Sequence, residues 1–299
     1  MKVPICWLVV ALLSLSAAGQ KPSNGTAARV EHARVQDVVF RSASLGRVMH
    51  YRLLFPARYA AGGNFPVLYL LHGLYGDYKN WDTLTRLERY AKSLRLIVVM
   101  PDADNSWYTN SATAPADRFE DYIVKDLVAE IDGKLRTIRD RRGRAIAGLS
   151  MGGYAAIKFG LKYPRMFAFA GSLSGALNAA QNLDTLRPEF SAKLLQVFAN
   201  PGSATRTQND VFTLITLPHN VPYPYFYLAC GTADFFLQTN RDFAGQLSSR
   251  KLPYEYHETP GEHSWEYWDR ELPALLGSME RTLGEQGGNS PLHAPATKP

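Results

Sequence analysis

Two rhythms of apolar residues alternate along this chain. Val35–Phe40 and Val48–Phe55 predict two strands joined by a turn near Ser44-Leu45-Gly46, an antiparallel entry hairpin. Short, continuous apolar runs follow at Pro66–Leu71, Leu96–Met100, Ala145–Leu149, Phe167–Leu173, Tyr225–Ala229 and Tyr254–His257. Continuous apolarity implies strands covered on both faces, as in a parallel sheet. Helical patterns separate the runs. The clearest spans Arg118 to Arg139, where Phe119, Ile123, Leu127, Ile131 and Leu135 recur every four residues beside a charged face. Others are predicted at about Thr83–Ser93, Met151–Tyr163, Phe235–Arg250 and Trp265–Thr282. This order implies an α/β fold, a mostly parallel, doubly wound sheet. Such folds carry their chemistry at the carboxyl ends of the strands. Polar residues just beyond each apolar run are therefore the candidates.

The run Ala145–Leu149 leads into Gly148-Leu149-Ser150-Met151-Gly152-Gly153, a Gly-x-Ser-x-Gly pattern between a strand and a helix. The glycines relieve crowding in a tight turn that projects the serine hydroxyl and aims the next backbone N–H at the same spot. The following helix adds its positive dipole end. A serine needs a base, and the base needs an orienting acid. Cys230-Gly231-Thr232-Ala233-Asp234 follows one strand, and Thr259-Pro260-Gly261-Glu262-His263 follows the next. Ser150, Asp234 and His263 are thus the candidate nucleophile, acid and base, in the chain order of α/β-hydrolases.

Each assignment has a competitor. Asp234 also suits a helix cap for Phe235 onward, while Asp242 and Asp269 lie inside helical patterns. His257 lies within a strand pattern, and His219 in a Pro-rich loop with no partner implied. The first strong strand ends in His72-Gly73-Leu74-Tyr75-Gly76, a turn able to face a backbone N–H toward a bound ester carbonyl. The expected oxyanion donors are the Leu74 and Met151 amides. His72 reads as a buried histidine that shapes the turn. Tyr75, Trp107, Tyr108 and Trp265 are candidate pocket walls, with plain packing as the alternative for each.

Composition narrows the class further. With 46% hydrophobic and 20% charged residues, the chain is an ordinary globular one rather than fibrous or disordered. A net charge of +6 is mild over 299 residues, and the one dense basic run, Arg139 to Arg144, reads as a solvated turn before a strand. No nucleic-acid partner is therefore expected. Met1-Lys2, the apolar Ile5 to Leu15 and the small Ser16-Ala17-Ala18 form a secretory signal, 1–19, cleaved after Ala18 or Gly19. The apolar run is too short for a stable membrane span, though an uncleaved anchor is the alternative. Export to a secreted or periplasmic location follows. Loss of Cys6 with the signal leaves Cys230 as the one thiol, so no internal disulfide forms. Residues 20–34 read as a flexible leader, where Asn24-Gly25-Thr26 fits a glycosylation pattern. Residues 35–283 read as the catalytic domain and 284–299 as a disordered tail.

Several blocks together resemble the esterase D family of α/β-hydrolases. They are Leu70–Trp81, Val98–Asn110, Ala147–Ala156, Ser172–Leu177, Cys230–Phe236 and Gly261–Trp268. That family includes S-formylglutathione hydrolases, tributyrin-type carboxylesterases, acetyl xylan and feruloyl esterases, and mycolyltransferases. The resemblance implies an α/β-hydrolase fold with Ser150, Asp234 and His263 on the triad positions and Leu74 and Met151 on the oxyanion-hole positions. S-formylglutathione hydrolases are typically cytosolic, so the leader argues against that member.

The stretch from Gly175 to Pro224, where α/β-hydrolases insert lids, has room for about two short helices, near Pro188–Ala199 and Thr207–Leu214. A small cover segment is expected there rather than a large cap domain. The resulting expectation is a secreted serine esterase acting on short-chain acyl or aryl esters, with no metal or organic cofactor. An acetyl xylan or feruloyl esterase, an acyltransferase to a sugar alcohol, and a catalytically silent binding protein are the alternatives. Acyl length and oligomeric state are not legible.

Overall fold

The structure is a computed structural model that describes residues 34–181, 188–218, 220 and 222–287. The expected signal, nearly all of the leader with Asn24, His219 and the tail from residue 288 lie outside the described residues. Eight strands form one sheet: β1 (Val35–Arg41), β2 (Val48–Leu54), β3 (Val67–Leu71), β4 (Ile97–Pro101), β5 (Arg144–Leu149), β6 (Phe169–Leu173), β7 (Tyr225–Gly231) and β8 (Tyr254–Thr259). Their spatial order is β1-β2-β4-β3-β5-β6-β7-β8. The β1–β2 and β2–β4 pairs are antiparallel, and all others are parallel. The Asp126 carboxylate secures the β1–β2 turn, accepting from the Ser44 amide at 2.7 Å and the Ser42 hydroxyl at 2.5 Å.

Five of the six continuous apolar runs, in β3 to β7, sit where both faces are covered, whereas the run in β8 lies at the sheet edge and is only half-buried. Val67, Tyr69 and Leu71 of β3 enter one core, and Leu68 and Leu70 enter the other. The helices are α1 (Asn80–Thr83), α2 (Leu87–Tyr90), α3 (Phe119–Asp121), α4 (Val128–Lys134), α5 (Met151–Lys162), α6 (Pro188–Phe198), α7 (Ala204–Asn209), α8 (Val211–Leu214), α9 (Leu237–Ser249) and α10 (Trp265–Gly287). The first core contains residues of α3 to α6, α8 and α9, and the second contains α1, α2 and α10 residues.

Before β5, two helices differ from their sequence patterns. The segment expected as one helix over Thr83–Ser93 is two single turns, α1 and α2. The Thr85 hydroxyl bonds back to the Trp81 carbonyl and accepts from the Leu87 amide, while Asp269 takes the Arg86 amide at 2.7 Å. These side-chain bonds compete with helical ones and interrupt the helix. Between α3 and α4 the chain makes a wider π-type turn over Tyr122–Leu127. A row repeating every four residues drifts around an α-helix of 3.6 residues per turn. The wider turn brings Phe119, Ile123, Leu127 and Ile131 back onto one buried face.

The stretch between β6 and β7 carries three short helices among the described residues, α6, α7 and α8, because the helix expected over Thr207–Leu214 is broken at Asp210, whose extended backbone ends α7 and whose carboxylate caps α8 by accepting from the Phe212 amide at 3.1 Å. The end of α6 docks on the loop after β4. The Val197 carbonyl accepts from the Ala112 amide at 2.9 Å, and the Gln196 carbonyl accepts from the Ser111 hydroxyl at 2.8 Å. The basic run before β5 is tied down: Arg142 pairs with Asp140 at 2.9 Å, Arg144 with Asp132, and Arg141 donates to the Pro164 carbonyl at 2.8 Å. No helix among the described residues is long and apolar enough to cross a membrane.

Candidate active site

β5 lies between β3 and β6, and its carboxyl end turns directly into α5 through Ser150. Ser150 has φ 51° and ψ −115°, a left-handed conformation that a non-glycine residue holds only under constraint from its neighbours. The neighbours are explicit. The Ser150 amide donates to the Leu173 carbonyl at 2.9 Å, and its carbonyl accepts from the Tyr154 amide at 2.9 Å. Gly148 and Gly152 make the turn possible. A Cβ on Gly148 would stand 2.5 Å from the Gly152 carbonyl carbon, and one on Gly152 would stand 2.6 Å from the His72 carbonyl oxygen.

The loops after β7 and β8 bring the other two residues to this turn. The Thr232 amide donates to the Thr259 carbonyl and the Ala233 amide to the Gly261 carbonyl, both at 2.9 Å. Asp234 and His263 thereby meet. His263 Nδ1 lies 2.9 Å from Asp234 Oδ2, and His263 Nε2 lies 3.0 Å from Ser150 Oγ. Asp234 is 5% exposed, and its second oxygen accepts from the Phe236 amide at 2.8 Å. Burial works to raise its carboxyl. The hydrogen bond and charge of the His263 ring, with the Phe236 amide, overcome that and hold it below the usual carboxylate value. Phe235, Phe236 and Trp268 surround the imidazole at ring-centroid distances of 4.5, 5.4 and 4.9 Å. This arrangement can move the Ser150 proton onto His263 while the carboxylate fixes the ring.

The competitors lie elsewhere. His257 is on β8 beside Glu255 at 3.1 Å, Asp242 accepts from Gln238, and Asp269 binds Arg86. Cys230 is buried, and burial with the nearby Asp234 charge pushes its thiol up to about 12, so it stays protonated.

The turn after β3 stands across from Ser150. The Leu74 and Met151 amides have no acceptor among the described residues. These are the two N–H groups expected to receive an oxyanion, and Met151 opens α5 with its dipole. His72 is 1% exposed and shapes this turn. Its Nδ1 donates to the Gly73 carbonyl at 2.7 Å, and its Nε2 accepts from the Ala103 amide at 3.0 Å. Burial chiefly lowers its pKa, which favours the neutral ring that this bonding pattern needs.

The four pocket candidates divide. Tyr75 stands on the rim at 70% exposure, and its amide donates to the Asn105 side chain at 2.7 Å. Trp265 is half-buried against Trp81 and Trp268. Trp107 and Tyr108 are buried instead, at 5% and 0% exposure. Their φ values of 55° and 51° turn them inward, Trp107 against Tyr154 and Phe198, and the Tyr108 hydroxyl onto the His72 carbonyl at 3.1 Å.

Two residues that the sequence does not single out as site candidates belong to the surroundings of the site. Phe235, beside Asp234, is 71% exposed and lies against the His263 ring. Lys158 is fully buried, donating to the Tyr108 carbonyl and Thr109 Oγ1 at 2.7 Å each, with Glu120 Oε2 at 3.3 Å. Burial pushes its ammonium down to about 7 against the pull of Glu120. The signal was present, since Lys158 is the one charged residue between Met151 and Leu161.

An acetyl esterase of Caldicellulosiruptor saccharolyticus is 28% identical over 225 residues, covering 73% of this chain and 84% of that protein. A diacylglycerol acyltransferase/mycolyltransferase, Ag85B of Mycobacterium leprae, is 27% identical over 256 residues, covering 74% of this chain and 78% of its own. Among solved structures, the fluorophosphonate-binding serine hydrolase FphF of Staphylococcus aureus superposes with a TM-score of 0.73 at 29% identity, over 82% of this chain and 97% of that one. The Esterase family model matches residues 42–279, a span that runs from the β1–β2 turn to α10 and holds every residue of the Ser150 site. The chain therefore belongs to the Esterase family, carboxylic ester hydrolases on the α/β-hydrolase fold.

Proposed function

We propose that this protein is an exported serine carboxylesterase that hydrolyses short-chain acyl or aryl esters through an acyl-serine on Ser150. The observation that carries the reading is the Asp234–His263–Ser150 hydrogen-bonded chain, at 2.9 and 3.0 Å, and the Leu74 and Met151 amides, which have no acceptor among the described residues, support it. Ser150 Oγ attacks the ester carbonyl while His263 Nε2 takes its proton, and Asp234 holds Nδ1–H toward itself. The carbonyl oxygen gathers negative charge and receives the Leu74 and Met151 N–H groups. The alcohol leaves with the proton from His263. Water, activated by the same nitrogen, then attacks the acyl-serine and frees the acid. The test is Ser150→Ala assayed on a p-nitrophenyl ester series from acetate to laurate. Hydrolysis should vanish with the melting temperature unchanged, and a variant retaining wild-type rates overturns the assignment. Export rests on the Met1 to Gly19 pattern. Recovery of the protein outside the cytoplasm, with a new N-terminus near Gln20, tests it.

A second reading has its own support. Tyr75 and Phe235 are the most exposed large apolar side chains among the described residues, at 70% and 71%, and they flank the oxyanion turn and the acid loop. Flat aromatic faces at the rim suit an ester carried on a sugar polymer or an aryl group. Methyl ferulate and acetylated xylan belong in the same rate panel. A strong preference for either replaces the short-acyl reading. A sugar alcohol added as acceptor separates hydrolysis from transfer.

A further inference from the structure

The buried Lys158 has no role in the proton transfers just described, yet it joins both sides of the site. It lies on α5, the helix whose first amide, Met151, is one expected oxyanion donor. Its ammonium has three acceptors around it: the Tyr108 carbonyl at 2.7 Å, Thr109 Oγ1 at 2.7 Å and Glu120 Oε2 at 3.3 Å. Glu120 is itself held, by the Tyr163 hydroxyl at 2.6 Å and by Lys162 at 2.5 Å. From Tyr108 the path continues. Its hydroxyl donates to the His72 carbonyl at 3.1 Å, and His72 Nδ1 donates to the Gly73 carbonyl at 2.7 Å. The next amide is that of Leu74, the other expected oxyanion donor.

Packing alone does not explain a lysine at this place. A fully buried ammonium is costly to desolvate, and an apolar side chain of similar length would pack among the same neighbours without that cost. Only a cation with three donors satisfies the Tyr108 carbonyl, Thr109 and Glu120 together. Two of those bonds fall on Tyr108 and Thr109, and Thr109 Oγ1 donates in turn to the Trp107 carbonyl at 2.9 Å, so they brace two consecutive left-handed residues, Trp107 and Tyr108, which need outside constraint to keep that backbone.

We infer that Lys158 is a positioning residue that fixes the spacing of the two oxyanion donors, by tying the Tyr108–His72–Gly73 bonds that carry the Leu74 amide to the helix that carries the Met151 amide. The inference rests on the esterase reading of Ser150. Its effect belongs in kcat, because an oxyanion donor acts where charge develops and not on the bound ester.

The test uses the full-length enzyme and p-nitrophenyl acetate, comparing wild type with Lys158→Met, Tyr108→Phe and the double variant. Lys158→Met should lower kcat about 10- to 100-fold, less than the loss of a whole donor, with KM within about threefold. Tyr108→Phe keeps the ring and removes one link, so it should lower kcat by a smaller factor. The double variant should be no slower than Lys158→Met alone, because both changes break one path. An active wild type with Lys158→Met altered only in melting temperature overturns the inference, as do two effects that multiply independently. If Lys158→Met does not fold, Tyr108→Phe decides: an unchanged kcat rejects the relay. A wild type that neither hydrolyses the ester nor takes a fluorophosphonate label on Ser150 instead removes the esterase reading, and this inference with it.

Discussion

Asp234 holds its charge where burial opposes it, which makes it the residue whose loss is easiest to read. Its Nδ1 partner needs a carboxylate to keep the proton on that side of the ring, and an amide in its place can stabilise the wrong tautomer. Asp234→Asn should therefore slow hydrolysis by roughly 10⁴-fold while binding changes little, as measured by steady-state kinetics. The same carboxyl links pH to stability. Its folded pKa lies below the ordinary 3.8, so the unfolded chain takes up its proton first on acidification. Its contribution is complete above about pH 4 and is lost as the pH falls through the folded value. His72 acts in a higher window. Its folded pKa lies below the ordinary 6.5, so the unfolded chain binds the extra proton and stability falls as the pH drops below 6.5. His72→Gln can still donate to the Gly73 carbonyl and accept from the Ala103 amide, but it cannot titrate. Its melting temperature should fall less steeply than that of wild type between about pH 6.5 and 5. Identical slopes would mean that another group sets the acid sensitivity.

At the scale of elements, the serine turn shows what short-range pattern can and cannot reveal. Gly148 to Gly153 between a strand and a helix is legible because the glycines answer a local crowding problem. The structure puts a length on it: a Cβ on Gly148 would stand 2.5 Å from the Gly152 carbonyl carbon and 2.7 Å from the Leu71 oxygen. Neither neighbour is a flexible side chain. Gly148→Ala should cost about 1–3 kcal/mol and lower the melting temperature by several degrees. An unshifted transition by calorimetry would show that β3 and α5 yield more easily than backbone does. The strands are equally legible, each within about two residues of its apolar run, because runs of this length bounded by turn residues are too short for a buried helix. The helix over Thr83–Ser93 is not, since its break depends on Thr85 and on Asp269, nearly two hundred residues away in the chain. Trp107 and Tyr108 are pocket candidates as aromatics in a loop after a strand, and the structure buries both. Their consecutive left-handed backbone is a feature that no local pattern announces.

At the scale of the molecule, the site exists because the sheet order sets distant segments side by side. β3, β5, β7 and β8 each end in a part of it, and their sequence separations run from Leu71 to Thr259. Periodicity identified these strands but not their neighbours, because the placement of β4 between β2 and β3 is a long-range outcome of helix packing on both faces. All eight strands, both helical layers and every residue of the Ser150 site fall between Arg34 and Gly287, in a compact unit that begins at Arg34. A chain of residues 34–287 should therefore fold and hydrolyse esters unaided, with kcat/KM within about twofold of the full chain, since the whole sheet, its helices and the Ser150, Asp234 and His263 side chains lie within those bounds. Expression of that chain, its melting curve and its rate on p-nitrophenyl acetate check this together. A folded but inactive product would mean that a segment outside 34–287 completes the substrate site. An unfolded product would mean that it completes the core.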